Sequence, residues 1–161
     1  MGKGLPLESS QIARILSDSE FFTGFGDEEI RKIADICEVR TADAGSCLFR
    51  QGDVGEDLFI VADGKVDLER SINMGQRKGK VIIDTMGKGR MLGCWSTLLD
   101  KPQILMSTAI CRRPSTLLVL KGLNLRALMS NNIELGFNML ERLGLLLRDR
   151  IQAAYGALDK I

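Results

Sequence analysis

Between residues 38 and 120 the chain is cut into short apolar or alternating runs, with glycines and Asp-Gly or Lys-Gly pairs between them. Helices of ordinary length do not survive such punctuation, whereas strands do. The runs "EVRTA", "CLFR", "DLFIVA", "KVDLERSI", "KVIIDTM", "MLGC", "MSTAICR" and "STLLVL" read as strands. "ADGKV" carries a two-residue Asp-Gly turn, which makes a hairpin of "LFIVA" and "KVDLE". "NMGQRKGK" reads as the tip of a second, longer hairpin. About eight closely spaced strands imply a sandwich or jelly roll. Its interior is expected to hold Leu48, Phe49, Leu58, Ile60, Val66, Leu68, Ile82, Leu117 and Val119. Burying each such side chain contributes roughly 1.5–3 kcal/mol.

Both flanks are helical. Ile12, Ile15 and Leu16 share a helical face behind Ser9 or Ser10 as a cap. Ile30, Ile33, Ala34 and Cys37 form an i, i+3, i+4, i+7 stripe behind Asp27 as a second cap. After the strands, "GLNLRALMSNN" reads as a short helix and "NIELGFNMLERLGLLLRDRIQAAYGALDK" as a long one. The long helix carries two apolar seams. One is Leu140, Leu143, Leu147, Ile151, Ala154 and Leu158; the other is Leu135, Met139 and Leu146. One seam can dock on the β-domain, and the other is left for a second helix. The expected division is a single domain, 1–161: a helical lead-in (1–37), a jelly roll (38–120) and C-terminal helices (121–161). The fold class is α+β, mainly β.

Composition removes several function classes. The chain has 161 residues, 45% hydrophobic and 27% charged, with a net charge of +1, so no strong field draws it to nucleic acid or anionic membranes. No apolar run is long enough to span a bilayer, and none at the start resembles a secretory leader. Met1-Gly2 opens like a myristoylation signal, but Pro6 stands where Ser or Thr is wanted. The expected location is cytoplasmic. There is no histidine, and Cys37, Cys47, Cys94 and Cys111 form no CxxC pair, so common zinc and haem sites lack ligands and the usual general base is missing. No catalytic residue, metal or cofactor is assigned, and the chain is not expected to be an enzyme.

The stretch "AGSCLFRQGDVGEDLFIVADGKVDL" resembles the front half of cyclic-nucleotide-binding domains, the family of catabolite activators and protein kinase A regulatory subunits. Gly45, Phe49, Gly52, Asp53, Leu58, Phe59 and Gly64 carry the match, and "FFTGFGDEEIRKIA" is similar to the family's helical lead-in. The likeness runs from about Phe21 to Arg150. It implies an eight-stranded β-roll between N-terminal helices and a C-terminal helix pair.

The resemblance also places "LGCWSTLLDKPQILMSTAI" at the family's phosphate-binding cassette. There a Gly is followed by a Glu that takes the ribose hydroxyl, and an Arg some way on pairs with the cyclic phosphate. Gly93 matches the Gly, but Cys94 stands in the Glu position. The Arg position falls on Leu105, or on Gln103 if Pro102 is the anchor. The expected ligand-binding residues are therefore Gly93, Cys94, Trp95, Ser96, Thr97, Leu105, Ser107 and Thr108, offering backbone N–H groups and hydroxyls. Trp95 stacks on a ligand, plugs the pocket or serves as core. Arg90, Lys101, Arg112 and Arg113 are candidates to supply the missing cation.

The expected function is a non-catalytic sensor module that takes a cyclic nucleotide or another small anion and signals through its C-terminal helices. The alternatives are a degenerate dimerisation or protein-docking unit, and a thiol redox sensor at Cys94, whose pKa a helix N-terminus would lower. A homodimer through the long helix is expected, with a protein partner as a further option. The helix-turn-helix of the family's transcription factors does not appear before Ile161, so no direct DNA contact and no membrane contact are expected of this chain.

Overall fold

The structure is a computed structural model that describes residues 6–93, 95–99, 101 and 103–160, with only the backbone of Ser96. Two helices lead in, α1 (Ser9–Asp18) and α2 (Asp27–Asp35). Ten strands follow among the described residues: β1 (Cys37–Ala42), β2 (Cys47–Phe49), β3 (Val54–Gly55), β4 (Asp57–Asp63), β5 (Val66–Met74), β6 (Arg77–Met86), β7 (Met91–Gly93), β8 (Gln103–Ile104), β9 (Thr108–Cys111) and β10 (Ser115–Lys121). A 3₁₀ turn, Trp95–Leu99, lies between β7 and β8, and α3 (Gly122–Asn131) and α4 (Ile133–Leu158) close the chain. Two four-stranded antiparallel sheets, β1-β10-β4-β7 and β2-β9-β5-β6, face each other, with β3-β8 as a small ladder at one end. This is the expected α+β jelly roll. The eight expected strands all form; β3 and β8 are added, each too short to show a period in sequence.

The central strands are buried on both faces. Along β4 and β10, Phe59, Val61, Leu117 and Val119 turn into the roll, where they meet Val66, Leu92 and Ala109. Their neighbours Leu58, Ile60, Leu118 and Leu120 turn the other way, against Leu16, Phe21, Phe22, Ile33 and Met139. Alternation by two thus yields two cores, one inside the roll and one between the roll and the helices. Leu58 and Ile60 belong to the second core, not to the roll interior in which the sequence reading put them. Ile82 is a further correction: it is 50% exposed. It pairs with Glu69 at the point where β9 stops flanking β5, so the hairpin beyond it has no third strand to cover it. That hairpin is paired as far as Met74 and Arg77, which reduces the expected long tip to a two-residue Gly75-Gln76 turn.

The helix starts lie one or two residues earlier than expected. Glu8, not Ser9 or Ser10, caps α1, and its backbone N–H donates to Gln11 Oε1 at 2.8 Å. Gly26, not Asp27, caps α2, and its N–H donates to Glu29 Oε1 at 3.3 Å. A side chain at the third helical position thereby meets an otherwise unpaired donor. The α2 stripe of Ile30, Ile33 and Ala34 is buried.

On α4 the seams divide differently. Leu135, Met139 and Leu143 are buried against the lead-in, with Leu146 packed beside them. Leu143 therefore belongs to the inner seam, one turn on from Met139, and not to the outer one. Leu140, Leu147, Ile151, Ala154 and Leu158 lie on the exposed side, with Phe137 and Tyr155 at 64% and 67% exposure. No helix among the described residues is long and apolar enough to cross a membrane.

Candidate ligand pocket

β7 ends on Gly93, which pairs with Leu58 of β4. Its φ is +119°, and an added Cβ would lie 2.5 Å from the Asp57 carbonyl oxygen, so only glycine lets the chain pass this close. The Trp95–Leu99 segment follows as a five-residue 3₁₀ turn. So short a segment aligns few peptide dipoles and makes a weak anion site by itself, contrary to the helix N-terminus expected here. Cys94 lies outside the described residues, as do Asp100 and Pro102, and the side chain of Ser96 is not described.

The return limb is pinned by its backbone. Leu105 N–H donates to the Asp53 carbonyl at 2.8 Å, and Gly52 N–H donates to the Leu105 carbonyl at 2.9 Å. These bonds turn the Leu105 side chain inward, where it is buried. Gln103, the other candidate for the Arg position, is exposed on β8.

Inside the roll, a cavity of about 210 Å³ collects these pieces. Phe49, Leu68, Met86, Leu92 and Leu105 form apolar walls; Gly93, Trp95, Gln103 and Ser107 also line it, and so does Arg150 of α4. Of the sequence-derived ligand residues, Gly93, Trp95, Leu105 and Ser107 are brought together here. Thr97 and Thr108 are not. Thr97 is buried beside Gly122, where an added Cβ would meet its Cβ at 2.6 Å. Thr108 Oγ1 accepts from Gln51 N–H at 2.9 Å and so braces the neighbouring turn.

Among the described residues the cation that lines this cavity is Arg150, which the sequence reading missed. Its guanidinium lies 4.9 Å from the centroid of the Trp95 ring, while Phe21 approaches the same ring with centroids 6.0 Å apart. Arg150 Nη2 donates to Glu20 Oε1 and to the Met91 carbonyl, both at 3.1 Å. Burial lowers the Arg150 pKa, and the Glu20 carboxylate opposes that shift. One signal was available in the sequence: Arg150 continues the inner stripe of Leu143 and Leu146 at helical spacing, and a charge on a buried stripe needs a partner. None of the other candidates lines the cavity, and Arg113 is exposed in the turn between β9 and β10. Arg90 pairs with Glu20 at 3.1 Å and Asp84 at 3.2 Å, and Arg112 pairs with Asp67 at 3.1 Å. Lys101 lines a separate groove beside Gly122.

Burial pushes the Cys37 thiol up to about 12 and raises that of Cys111 as well. Cys37, Cys47 and Cys111 are unpaired. No group of three metal-ligating side chains occurs among the described residues.

The comparisons with known proteins agree with this architecture. Residues 39–132 match the model of the cyclic nucleotide-binding domain. The cyclic AMP receptor protein of Thermus thermophilus is 34% identical over 86 residues, covering 53% of this chain and 38% of the receptor. A cGMP-dependent protein kinase of Caenorhabditis briggsae is 30% identical over 89 residues, covering 52% of this chain and 12% of the kinase. These matches thus span well under half of the curated relatives. Among solved structures, a cyclic nucleotide-binding domain from Methylobacillus flagellatus superposes with a TM-score of 0.79 at 26% identity, covering 95% of this chain and 84% of that one. With the two-sheet roll, the glycine turn after β7 and the closing helix pair all in place, the chain belongs to the cyclic nucleotide-binding domain family.

Proposed function

We propose that this chain is a single-domain, non-catalytic regulatory module that takes a small anionic ligand, a cyclic nucleotide or a substitute, into the jelly-roll pocket and relays occupancy through its C-terminal helices. It works in the cytoplasm. The observation that carries this reading is that Arg150 belongs to α4 and also lines the cavity. A ligand that engages Arg150 acts directly on the helix. The names of the relatives, a cyclic AMP receptor and a cGMP-dependent kinase, support the class of function.

Ordinary cyclic-nucleotide affinity is not expected. Cys94 and Leu105 stand where the resemblance puts a Glu and an Arg. Hydrogen bonds to charged groups are worth roughly 1.5–3 kcal/mol, so losing two costs on the order of a hundredfold to ten-thousandfold. Calorimetric titration should give dissociation constants for cyclic AMP and cyclic GMP of roughly 100 μM or weaker. A submicromolar constant for either would overturn this part of the reading.

A second reading, a dimerisation or protein-docking unit, is favoured by the exposed apolar side of α4. The two are compatible: a homodimer through residues 133–158 would place α4 where a change at the pocket reaches the partner. Thiol sensing at Cys94 has less support, since the Trp95–Leu99 segment is a five-residue 3₁₀ turn that aligns few peptide dipoles to stabilise a thiolate.

A further inference from the structure

We infer that the pocket selects a small apolar monocarboxylate, an aryl or short-chain alkyl acid, with Arg150 as the group that holds the carboxylate. This rests on the reading of the cavity as a ligand pocket and names the ligand class. The cavity, at about 210 Å³, is smaller than the usual range for drug-sized ligands, so it suits a molecule with about one ring. Its walls are mostly apolar, and among the described residues the polar side chains on it are Gln103, Ser107, Arg150 and the Trp95 indole. A ribose and a purine would bring in many more donors and acceptors than these can meet. Each polar group buried without a partner costs roughly 5- to 150-fold in affinity. An apolar body carrying one charged end has no such deficit.

The chemistry at the cavity mouth fits a carboxylate monoanion. Arg150 already receives one carboxylate, that of Glu20, at 3.1 Å. Both of its hydrogen bonds among the described residues leave from Nη2, so Nε and Nη1 are left as separate single donors for a second acceptor, each able to give a charge-assisted bond to a carboxylate oxygen. Glu20, Asp84, Arg90 and Arg150 are linked by ion pairs, and their two negative and two positive charges cancel. No net positive field is therefore present to stabilise a dianion, and the ligand's single charge is met by Arg150's own donors.

The probe is 3-phenylpropionate, with its neutral amide and cyclic AMP as comparisons. Each is titrated into the full chain by calorimetry and by the emission of Trp95, the only tryptophan. The acid should bind at least about tenfold more tightly than the amide and than cyclic AMP. Arg150→Gln should weaken the acid by about tenfold or more and leave the amide nearly unchanged, while Arg150→Lys retains part of the preference. The acid–amide comparison needs no substitution, so it holds even if a variant fails to fold. Equal affinity for acid and amide would overturn the inference, as would unchanged acid binding by a folded Arg150→Gln protein. If cyclic AMP binds and the acid does not, the carboxylate class falls while the sensor reading stands. If none of the three binds at millimolar concentration, both fall.

Discussion

Leu105→Arg is the sharpest test of why this pocket should bind cyclic nucleotides poorly. The backbone at Leu105 is fixed on both sides by hydrogen bonds of 2.8 and 2.9 Å to residues 53 and 52, so a new side chain starts from a known place and points into the cavity. An arginine there could make two charge-assisted bonds to a cyclic phosphate, worth roughly 1.5–3 kcal/mol each before its own desolvation. If desolvation takes about half, the net gain is about 1.5–3 kcal/mol, or roughly 10- to 150-fold in affinity. Calorimetry should then show cyclic AMP moving from roughly 100 μM or weaker into the low micromolar range. Cys94→Glu in the same chain should add to the gain. The substitution replaces a buried leucine, so a loss of about 1–3 kcal/mol is expected, lowering Tm by roughly 2–12 °C. Leu105→Met, which conserves volume, should leave affinity and Tm nearly unchanged. No gain in cyclic AMP affinity by a folded Leu105→Arg protein would refute the argument that the missing cation limits binding.

Sedimentation should show a dimer at micromolar concentration, and Leu140→Glu with Leu147→Glu should yield a monomer of unchanged helix content, because both residues lie on the exposed side of α4. A wild-type monomer at high micromolar concentration would exclude the homodimer. Gly93→Ala should cost at least about 1–3 kcal/mol, read as a lower Tm, since it forces a left-handed φ and crowds the Asp57 carbonyl. The redox reading requires thiol labelling at neutral pH to be faster at Cys94 than at Cys37 or Cys47, and equal or slower labelling would remove it. The Cys37 pKa, raised to about 12 from 9.0, has a definite sign: its contribution to stability is full below about pH 9 and is lost as pH rises towards 12, because the unfolded thiol ionises first. Cys37→Val should flatten that part of the stability–pH curve, and an unchanged slope would show that Cys37 is not its source.

Local chemistry made much of this protein legible in its sequence. The eight longer strands announced themselves because glycines must sit where the chain turns and because side chains alternate between faces. Gly93 was legible for the same reason; Leu105 was reached only through the family resemblance, which left Gln103 as the alternative. Tertiary structure decided what depends on which surfaces meet. Leu58 and Ile60 differ from Phe59 and Val61 only in which core covers them, and Leu143 differs from Leu140 only in facing the lead-in helices. Thr97 and Thr108 have hydroxyls suited to an anion, but packing beside Gly122 and a bond from Gln51 direct them elsewhere. Arg150 is the clearest case. Its partner Glu20 is 130 residues away in sequence, and no local propensity links them. Only docking of α4 against the lead-in helices and β7 brings the guanidinium onto Trp95 and into the cavity, because charge pairing acts through space while sequence patterns report neighbours along the chain.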